Sequence, residues 1–494
     1  MPFYDRLRSE LEARKQAGNY RELPLVSFNR GAIIFDSVRY LDLSSNDYLC
    51  IARDPKFFQT FISTMTDTSS SGSVYAEDML LGSVGAGSSG SRLLTGNNTA
   101  YAYCEELLAS LYNGGIACRY DYSSESSEDK AEVFHPYHKS NSKDKDVYYL
   151  HADDAVASVQ TKNNGADGFS ADDQLSEQFA EEAAVNAAVA AAAAAAAARP
   201  SYRKCLYFNS GFEANLGVIS TLFGEHDLLL VDKLAHASII DGMLSSKAKT
   251  LRFAHNNMEH LESLIAKHYQ DYESVVIVTE SVFSMEGDLA PLQQLVELKK
   301  RYPNVLLYVD EAHSFGLFGE DGLGLCKELG VHEDVDFLVG TLSKAIGSQG
   351  AFLICSPEVK EYLVNFMRPL IFSTALPPVN VTFSMYVIGL LKTTAMQYKR
   401  EYLRKISDYL HSNLQDLGIV PSQSQIQPLI TGDSDKALMA SHIFRRAGML
   451  ALPIRYPTVP QKQARLRLAL NCNLRIDDID LITRVIKRYR HLFV

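Results

Sequence analysis

The stretch Gly340-Thr-Leu-Ser-Lys-Ala-Ile-Gly-Ser-Gln-Gly350 places one cation, Lys344, among small and hydroxylic residues. The apolar run 337–339 precedes it and the apolar run 351–354 follows it, which predicts a strand, a tight polar turn and a second strand. A lysine in such a turn can be a point charge for an anion, or an amine nucleophile if its surroundings lower its pKa. A solvated loop lysine gives the same local pattern, so the rest of the chain has to distinguish these interpretations.

The length, composition and net charge of the chain exclude several classes of protein. The chain has 494 residues, 46% of them hydrophobic, and a formal net charge of −11. A chain of this length usually forms more than one domain. Its acidic balance argues against nucleic acid as a partner, because phosphate binding needs basic surface. No apolar run reaches the roughly 20 residues of a membrane span, so no membrane association is expected.

The N-terminus and the cysteines predict a cytoplasmic protein. Residues 1–10 contain no apolar signal core, and acidic residues at positions 5, 10 and 12 disfavour a transit peptide. The seven cysteines are scattered and form no CxxC pair. We therefore expect reduced thiols, no disulfide framework and no metal site.

From residue 205 onward, short apolar runs alternate with amphipathic helical patterns. Strands are predicted at 205–208, 228–231, 251–253, 275–279 and 305–309, with helices through 222 and at 237–246, 258–268 and 292–302. This alternation predicts an α/β fold with a mostly parallel sheet covered on both faces by helices. Ligands bind at the carboxyl ends of the strands in such sheets. The polar clusters to inspect are therefore 210–212, 280–284, 310–313 and 341–344.

The flanking regions differ from this pattern. Residues 3–16 predict an amphipathic helix that packs on the body or on a partner subunit, residues 33–35 and 40–49 are strand-rich, and 100–112 predict a helix. Further on, 382–417 predict one long helix, 426–431, 450–454 and 465–470 predict strands, and 435–447 and 476–491 predict helices. We predict an N-terminal segment over 1–60, a large domain over 61–375 and a small C-terminal α+β domain over 376–494.

Two stretches interrupt the large domain. Residues 66–81 lack periodicity and predict an exposed loop, which the glycine cluster at 85–92 follows. Residues 114–202 contain Ser-rich and charged runs, an alanine run at 190–198 and few large apolar residues. This composition cannot bury enough surface to offset the entropy of ordering, so 114–202 predict a mostly disordered insertion.

Three features meet at the predicted carboxyl edge of the sheet. Asp310 and His313 follow one strand, Lys344 follows another, and Ser210-Gly211-Phe212 end a strand and open a helix whose free N–H groups suit a phosphate. A lysine amine, a carboxylate and a phosphate cradle are what pyridoxal phosphate needs. Taken singly, Asp310 could be a helix cap and His313 a core histidine.

Five motifs carry a resemblance to a known family: 209–212, 234–238, 279–288, 309–316 and 340–347. They resemble the α-oxoamine synthases, which are fold-type I pyridoxal-phosphate enzymes with a large domain and a smaller α+β C-terminal domain. The resemblance covers nearly the whole chain apart from 66–81 and 114–202. It implies an acyltransferase that condenses an amino acid with an acyl thioester and releases carbon dioxide.

The resemblance implies cofactor roles for the matching residues. Lys344 would form a Schiff base with the cofactor and act as the proton-transfer base, Asp310 would pair with the ring nitrogen, and His313 would hydrogen-bond the phenolic oxygen. His236 would stack on the ring, although it could also be a loop histidine that caps the following helix. The remaining cofactor contacts would come from Gly211, Phe212, Ser284, Thr341, Ser373 and Thr374.

The resemblance also implies a homodimer and a set of substrate contacts. Ser373 and Thr374 match positions that reach the cofactor phosphate of the neighbouring subunit. The substrate-binding positions are Arg21, Asn46, His236, Thr458 and Arg467. For Arg21 and for Arg465 a surface ion pair is an alternative, whereas Arg467 lies in an alternating run and, if it points inward, needs an anionic partner.

The stretches 252–256, 371–378, 426–430 and 454–460 resemble the branch of the family that serves biotin synthesis. That branch uses L-alanine and a pimeloyl thioester carried by coenzyme A (pimeloyl-CoA) or by acyl carrier protein (pimeloyl-ACP). Two alternatives stay open: a family member that uses glycine or serine with another acyl thioester, and a non-catalytic partner subunit. The latter usually lacks the Schiff-base lysine, which is present here.

Overall fold

The computed structural model describes residues 2–18, 20–29, 32–66, 87–113 and 203–494. The predicted insertion at 114–202 lies outside the described residues, as do 67–81 of the predicted loop and the first two residues of the glycine cluster. In the described part of the chain, no helix combines the length and the apolar character that a membrane span needs.

The strands alternate with helices along most of the chain. The strands are β1 Val26–Asn29, β2 Ala32–Phe35, β3 Val38–Asp42, β4 Lys204–Phe208, β5 Asp227–Asp232, β6 Lys249–Phe253, β7 Ser274–Glu280, β8 Val305–Asp310, β9 Phe337–Thr341, β10 Ala351–Cys355, β11 Ile426–Gly432, β12 Met449–Leu450, β13 Pro453–Ile454 and β14 Ala464–Ala469.

The helices begin near the N-terminus and continue to the C-terminal end. They are α1 Pro2–Gln16, α2 Pro55–Thr66, α3 Thr99–Tyr112, α4 Gly211–Leu222, α5 Ala237–Ser245, α6 Met258–His268, α7 Leu292–Lys300, α8 Leu325–Glu328, α9 Pro357–Phe366, α10 Arg368–Phe372, α11 Pro378–Leu390, α12 Thr394–Asp416, α13 Ser434–Arg446 and α14 Ile476–Arg488. Short 3₁₀ helices occupy His332–Asp334 and Arg490–Leu492.

A seven-stranded sheet with the order β4-β10-β9-β8-β7-β5-β6 forms the centre of the protein. All neighbouring strands are parallel except β10, which runs antiparallel to both β4 and β9. The α/β fold and the mostly parallel sheet are therefore confirmed, as is the strand–turn–strand around Lys344, which is the hairpin of β9 and β10. Because β10 alone is reversed, the carboxyl ends of the other six strands lie at one edge.

Both faces of this sheet are buried, which explains the continuous apolar strands. Along β5, Leu228 and Leu230 belong to one hydrophobic core, while Leu229 and Val231 belong to the core on the other side. Because successive side chains of a strand point to opposite faces, a strand covered on both faces must be apolar at every position. Helices α4 and α5 pack together on one of these faces.

The C-terminal region forms a second, three-stranded sheet with the order β11-β14-β13, on which α13 packs. The single strand predicted at 450–454 is wrong: β12 pairs in parallel with β3 near the N-terminus, whereas β13 pairs with β14. Pro453 lacks an amide hydrogen, which suits it to an edge strand such as β13. The domain boundary near residue 376 stays a prediction.

Three further expectations need correction. The long helix predicted at 382–417 is two helices, α11 and α12, because the backbone of Thr393 is extended (φ −70°, ψ 151°) and interrupts the helix there. The strand predicted at 40–49 ends at Asp42. Helix α1 has no buried residue, so within this chain it does not pack on the body as one of its two predicted roles required.

Gly287 holds the turn after β7 against β11. Its φ is +72°, and a Cβ at this position would lie 2.0 Å from the carbonyl oxygen of Ile426. We expect Gly287→Ala to combine a left-handed backbone cost of about 1–2 kcal/mol with an overpacking cost of about 1–3 kcal/mol. Denaturant titration of the full chain measures the free energy of unfolding.

Gly418→Ala is the matched control for this substitution. Gly418 has a similar φ of +68° but nothing within 4 Å of the added Cβ. Only the backbone cost applies there, so the two variants should differ by the overpacking cost. Equal destabilisation of both variants would contradict this account of the Gly287 turn.

Candidate active site

The carboxyl edge of the seven-stranded sheet gathers the predicted cofactor residues. Lys344 follows β9, Asp310 ends β8, His236 follows β5, and Gly211 begins α4 directly after β4. His313 lies in the turn after β8 and is 3% exposed. Residues that are up to 133 positions apart in the chain are thus neighbours because parallel strands bring their carboxyl ends to one edge.

The amine of Lys344 points into the protein and contacts His313. Lys344 Nζ and His313 Nε2 are 2.7 Å apart. Burial lowers the pKa of Lys344 to about 8, although the nearby carboxylates of Asp310 and Glu280 act in the opposite direction. Burial and the Lys344 charge hold the pKa of His313 well below its usual value of 6.5. The site therefore favours a neutral histidine beside an amine that deprotonates readily.

Tyr48 binds the other nitrogen of His313. Tyr48 OH lies 2.7 Å from His313 Nδ1 and 3.1 Å from Asn46 Oδ1. The imidazole of His313 is therefore held between the Tyr48 hydroxyl and the Lys344 amine. Sequence reasoning missed Tyr48, although it stands two residues after Asn46 in a polar stretch that follows a strand.

Arg467 closes the site from β14 and is 7% exposed. Its Nε donates to the Ser284 carbonyl at 2.6 Å, and its Nη1 donates to Asn46 Oδ1 at 3.0 Å. Among the described residues, no carboxylate lies within 4 Å of this guanidinium. In contrast, Arg465 forms an ion pair with Glu286 at 2.9 Å and is 2% exposed, so the expected surface ion pair is instead a buried one.

The carboxylate of Asp310 accepts a hydrogen bond on each oxygen. Its Oδ1 accepts from the Ala312 amide at 2.8 Å, and its Oδ2 accepts from Asn215 Nδ2 at 2.7 Å. Both carboxylate oxygens are thus occupied as hydrogen-bond acceptors, which fixes the orientation of the side chain. His236 Nδ1 accepts from the Ser238 amide at 3.2 Å, so His236 caps α5 as well as lying near the site. Burial and then the Lys344 charge lower the pKa of His236.

The start of α4 offers backbone amides. Ser210 caps this helix through the Glu213 amide at 3.1 Å, and Gly211 and Phe212 form its first turn. A Cβ on Gly211 would lie 3.5 Å from Thr341 Oγ1, so the Thr341 hydroxyl stands opposite the helix start. A helix N-terminus with a facing hydroxyl is suited to a phosphate.

Ser373 and Thr374 lie beside the same helix start within this chain. Asn209 Nδ2 donates to the Thr374 carbonyl at 2.9 Å and contacts Ser373 Oγ at 3.4 Å. Ser373 is half-buried and Thr374 is exposed. The side chains are thus close to the predicted phosphate cradle, and the prediction that they serve the neighbouring subunit stays a prediction.

Glu280 is a second residue that sequence reasoning missed. It ends β7, is 2% exposed, and accepts from the Ser284 amide at 3.3 Å through Oε2. Within the described residues, its Oε1 has no hydrogen-bond partner. Burial and the Asp310 charge raise the pKa of Glu280 well above its usual value. A signal was available, since Glu280 ends an apolar strand at the edge where the other site residues lie.

Arg21 and Thr458 form a separate pair at the surface. Arg21 Nη2 donates to Thr458 Oγ1 at 3.0 Å, and both residues are exposed. Within the described part of the chain, neither shares a hydrogen bond with Lys344 or His313. The structure therefore brings together these two predicted substrate residues, but outside the buried cluster.

Comparisons with known proteins identify the family. The family model described as aminotransferase class I and II matches residues 178–486. An 8-amino-7-oxononanoate synthase from Haemophilus ducreyi is 35% identical over 464 residues, which are 93% of this chain and 94% of the relative. The chain belongs to the α-oxoamine synthase family. Members of this family are pyridoxal-phosphate-dependent acyltransferases, and this chain is such an enzyme.

Two further comparisons agree with membership of the α-oxoamine synthases. An 8-amino-7-oxononanoate synthase from Chlorobaculum parvum is 46% identical over 286 residues, which are 58% of this chain and 72% of the relative. The solved structure of a serine palmitoyltransferase from Sphingomonas wittichii matches with a TM-score of 0.70 at 25% identity, over 99% of this chain and 98% of that one.

The side chains at the carboxyl edge fit pyridoxal phosphate. The buried amine of Lys344, the carboxylate of Asp310 and the amides at the start of α4 are the groups that an aldehyde, a ring nitrogen and a phosphate require. The unpartnered Oε1 of Glu280 adds a buried polar atom at the same place. Tyr48, in the loop after β3, and Arg467, on β14, also border this site.

The depressed pKa of Lys344 predicts unusual reactivity towards an acylating reagent. With a pKa of about 8, half of the Lys344 amine is neutral at pH 8, whereas an ordinary lysine with a pKa of about 10.4 is almost wholly charged. In cofactor-free protein, limited acetylation followed at increasing pH by peptide mass spectrometry should show a midpoint near 8 for Lys344. Exposed lysines in the same digest serve as controls. A midpoint near 10.4 would be incompatible with the buried amine described here.

Proposed function

We propose that the enzyme is an 8-amino-7-oxononanoate synthase. It would condense L-alanine with a pimeloyl thioester of coenzyme A or acyl carrier protein, and release carbon dioxide and the free thiol. The observation that carries this proposal is the 35% identity to a synthase of that name along 93% of the chain. The buried cluster around Lys344 supports it, because that cluster supplies a base and an anion-binding arginine.

Arg467 is the proposed anchor for the carboxylate of alanine. Its guanidinium is buried, donates to three neutral oxygens and has no carboxylate within 4 Å in the described part of the chain. A buried cation is stable only with an anionic or hydrogen-bonding partner. The amino acid's carboxylate would complete that partnership, and Asn46, already bonded to Arg467 Nη1, would border the same space.

Lys344 is the proposed base for the α-proton of alanine. A pKa of about 8 leaves a useful fraction of neutral amine near pH 7, and general bases work best when their pKa lies near the working pH. His313 Nε2 lies 2.7 Å from the Lys344 amine and so orients it. When bound, pyridoxal phosphate supplies an electron sink for the charge left at the α-carbon.

The proposed cofactor contacts come from the resemblance to the family, and the geometry of the edge supports them. Asp310 would bind the ring nitrogen, His313 and Ser284 would lie near the phenolic oxygen, and His236 would cover the ring face. The phosphate would lie at the start of α4, at Gly211 and Phe212, opposite Thr341. Each assignment uses a side chain or amide that already faces this edge of the sheet.

Arg21 and Thr458 are the proposed contacts for the acyl donor. Their exposed position suits a long substrate that enters from the surface, and the Arg21 guanidinium suits an anionic group on it. A homodimer is also proposed, because large apolar side chains are exposed beside the α4 start: Leu94 is 79% exposed, Phe212 46% and Phe372 70%. A partner subunit would cover this apolar surface.

Steady-state assays across amino acids and acyl donors test the proposed reaction. We expect L-alanine with a pimeloyl thioester to give the ketone product with a higher kcat/KM than glycine or serine with acetyl, succinyl or palmitoyl thioesters. Lys344→Ala should abolish turnover, as the base and cofactor attachment are lost together. If glycine or serine gives ketone product and alanine does not, the enzyme is another member of the family.

Mixed dimers test whether Ser373 and Thr374 act across the interface. One subunit carries Lys344→Ala and the other carries Ser373→Ala with Thr374→Ala. If the hydroxyls serve the neighbouring subunit, one site of the mixed dimer is intact and activity reappears on mixing. If they serve their own subunit, as their contact with Asn209 allows, mixing restores nothing.

A further inference from the structure

Asn215 lies in the second turn of α4 and is 1% exposed. Its side-chain amide uses both hydrogens: one goes to Asp310 Oδ2 at 2.7 Å and the other to Ser238 Oγ at 2.9 Å. Its Oδ1 accepts from Tyr308 OH at 2.7 Å. One buried amide is therefore bonded to three side chains from two different elements, β8 and α5.

The orientation of this amide is determined by its partners. The Asp310 carboxylate can only accept, and the Tyr308 hydroxyl, whose pKa burial raises well above 10, remains a donor. A flipped amide would place Oδ1 against a carboxylate and NH₂ against a donor hydroxyl. The hydrogen-bond directions along Tyr308, Asn215 and Asp310 are thus unambiguous.

The same amide reaches His236 through Ser238. Ser238 Oγ accepts from Asn215, so its own proton is free to point at His236 Nδ1, which is 2.8 Å away. The Ser238 backbone amide also donates to Nδ1. Two donors on Nδ1 place the imidazole proton of neutral His236 on Nε2.

We propose that Asn215 is a positioning residue that couples the ring-nitrogen partner Asp310 to the ring-stacking residue His236. Its amide fixes the orientation of the Asp310 carboxylate through Oδ2, and through Ser238 it holds His236 in the Nε2–H tautomer. Helix α4 then serves the cofactor twice: its first turn presents amides to the phosphate, and its second turn orients the two side chains that contact the ring. This inference rests on the cofactor and not on the proposed substrates.

Binding of two cofactor forms to the full-length protein, freed of cofactor, tests the link to Asp310. Asn215→Leu removes the donor that orients the Asp310 carboxylate, so the Kd for pyridoxal phosphate should rise about 10- to 100-fold. The 1-deaza analogue, which has a carbon in place of the ring nitrogen, cannot bond to Asp310, so its Kd should rise much less. Isothermal titration calorimetry measures both constants.

Asn304→Leu is the matched control for this binding experiment. Asn304 is half-buried and its amide makes two hydrogen bonds, to the carbonyls of Tyr269 and Tyr272, away from the site. This variant should lose thermal stability without changing the ratio of the two Kd values. If Asn215→Leu weakens both cofactor forms equally, Asn215 is merely structural and the proposal is overturned.

Histidine ¹⁵N chemical shifts test the link to His236 without any ligand. In the wild-type protein, His236 should show the Nε2–H tautomer. Ser238→Ala removes one of the two donors on Nδ1 and keeps the Asn215–Asp310 bond, so a measurable fraction of the Nδ1–H tautomer should appear while the ratio of the two Kd values stays as in wild type. Unchanged ¹⁵N shifts in Ser238→Ala would contradict the coupling, and neither result depends on whether alanine is the substrate.

Discussion

The burial of one amine at the carboxyl edge of a parallel sheet is the constraint on which the site depends. Lys344 Nζ sits 2.7 Å from a histidine that is itself almost wholly buried, and burial brings its pKa to about 8. A charged ammonium in this place would lose hydration that His313 alone cannot replace. The carboxylates of Asp310 and Glu280 moderate the shift, so the amine is neither permanently charged nor permanently neutral.

Distant segments of the chain supply the walls of this site. Tyr48 comes from the loop after β3, and Arg467 comes from β14, yet Arg467 Nη2 reaches Tyr48 OH at 3.3 Å. The parallel pairing of β12 with β3 brings the C-terminal region beside the N-terminal strands and so makes this contact possible. The pairing of β12 with β3 and the buried side chain of Arg467 together complete the cluster around His313 and Lys344.

Much of the sheet was predictable because its strands are buried on both faces and read as unbroken apolar runs. The regions that were mispredicted lack this signal. The break at Thr393 depends on the extended backbone of one residue, and the division of 450–454 depends on which neighbour each residue pairs with. Neither is visible in hydrophobic periodicity. Tyr48 was missed for a related reason, since its partner His313 is distant in sequence.

The sequence by itself determined the fold class, the alternating strands and helices between 205 and 309, and the identity of the residues at the strand ends, because apolar patterning and short motifs are local. It also determined the family, through motifs around Lys344, Asp310, His313 and His236. Only the tertiary structure decided the shifted pKa values and the hydrogen-bond partners, since these depend on burial and on groups far apart in the chain. The tautomer of His236, the amide orientation of Asn215 and the three hydrogen bonds of the Arg467 guanidinium all follow from such contacts.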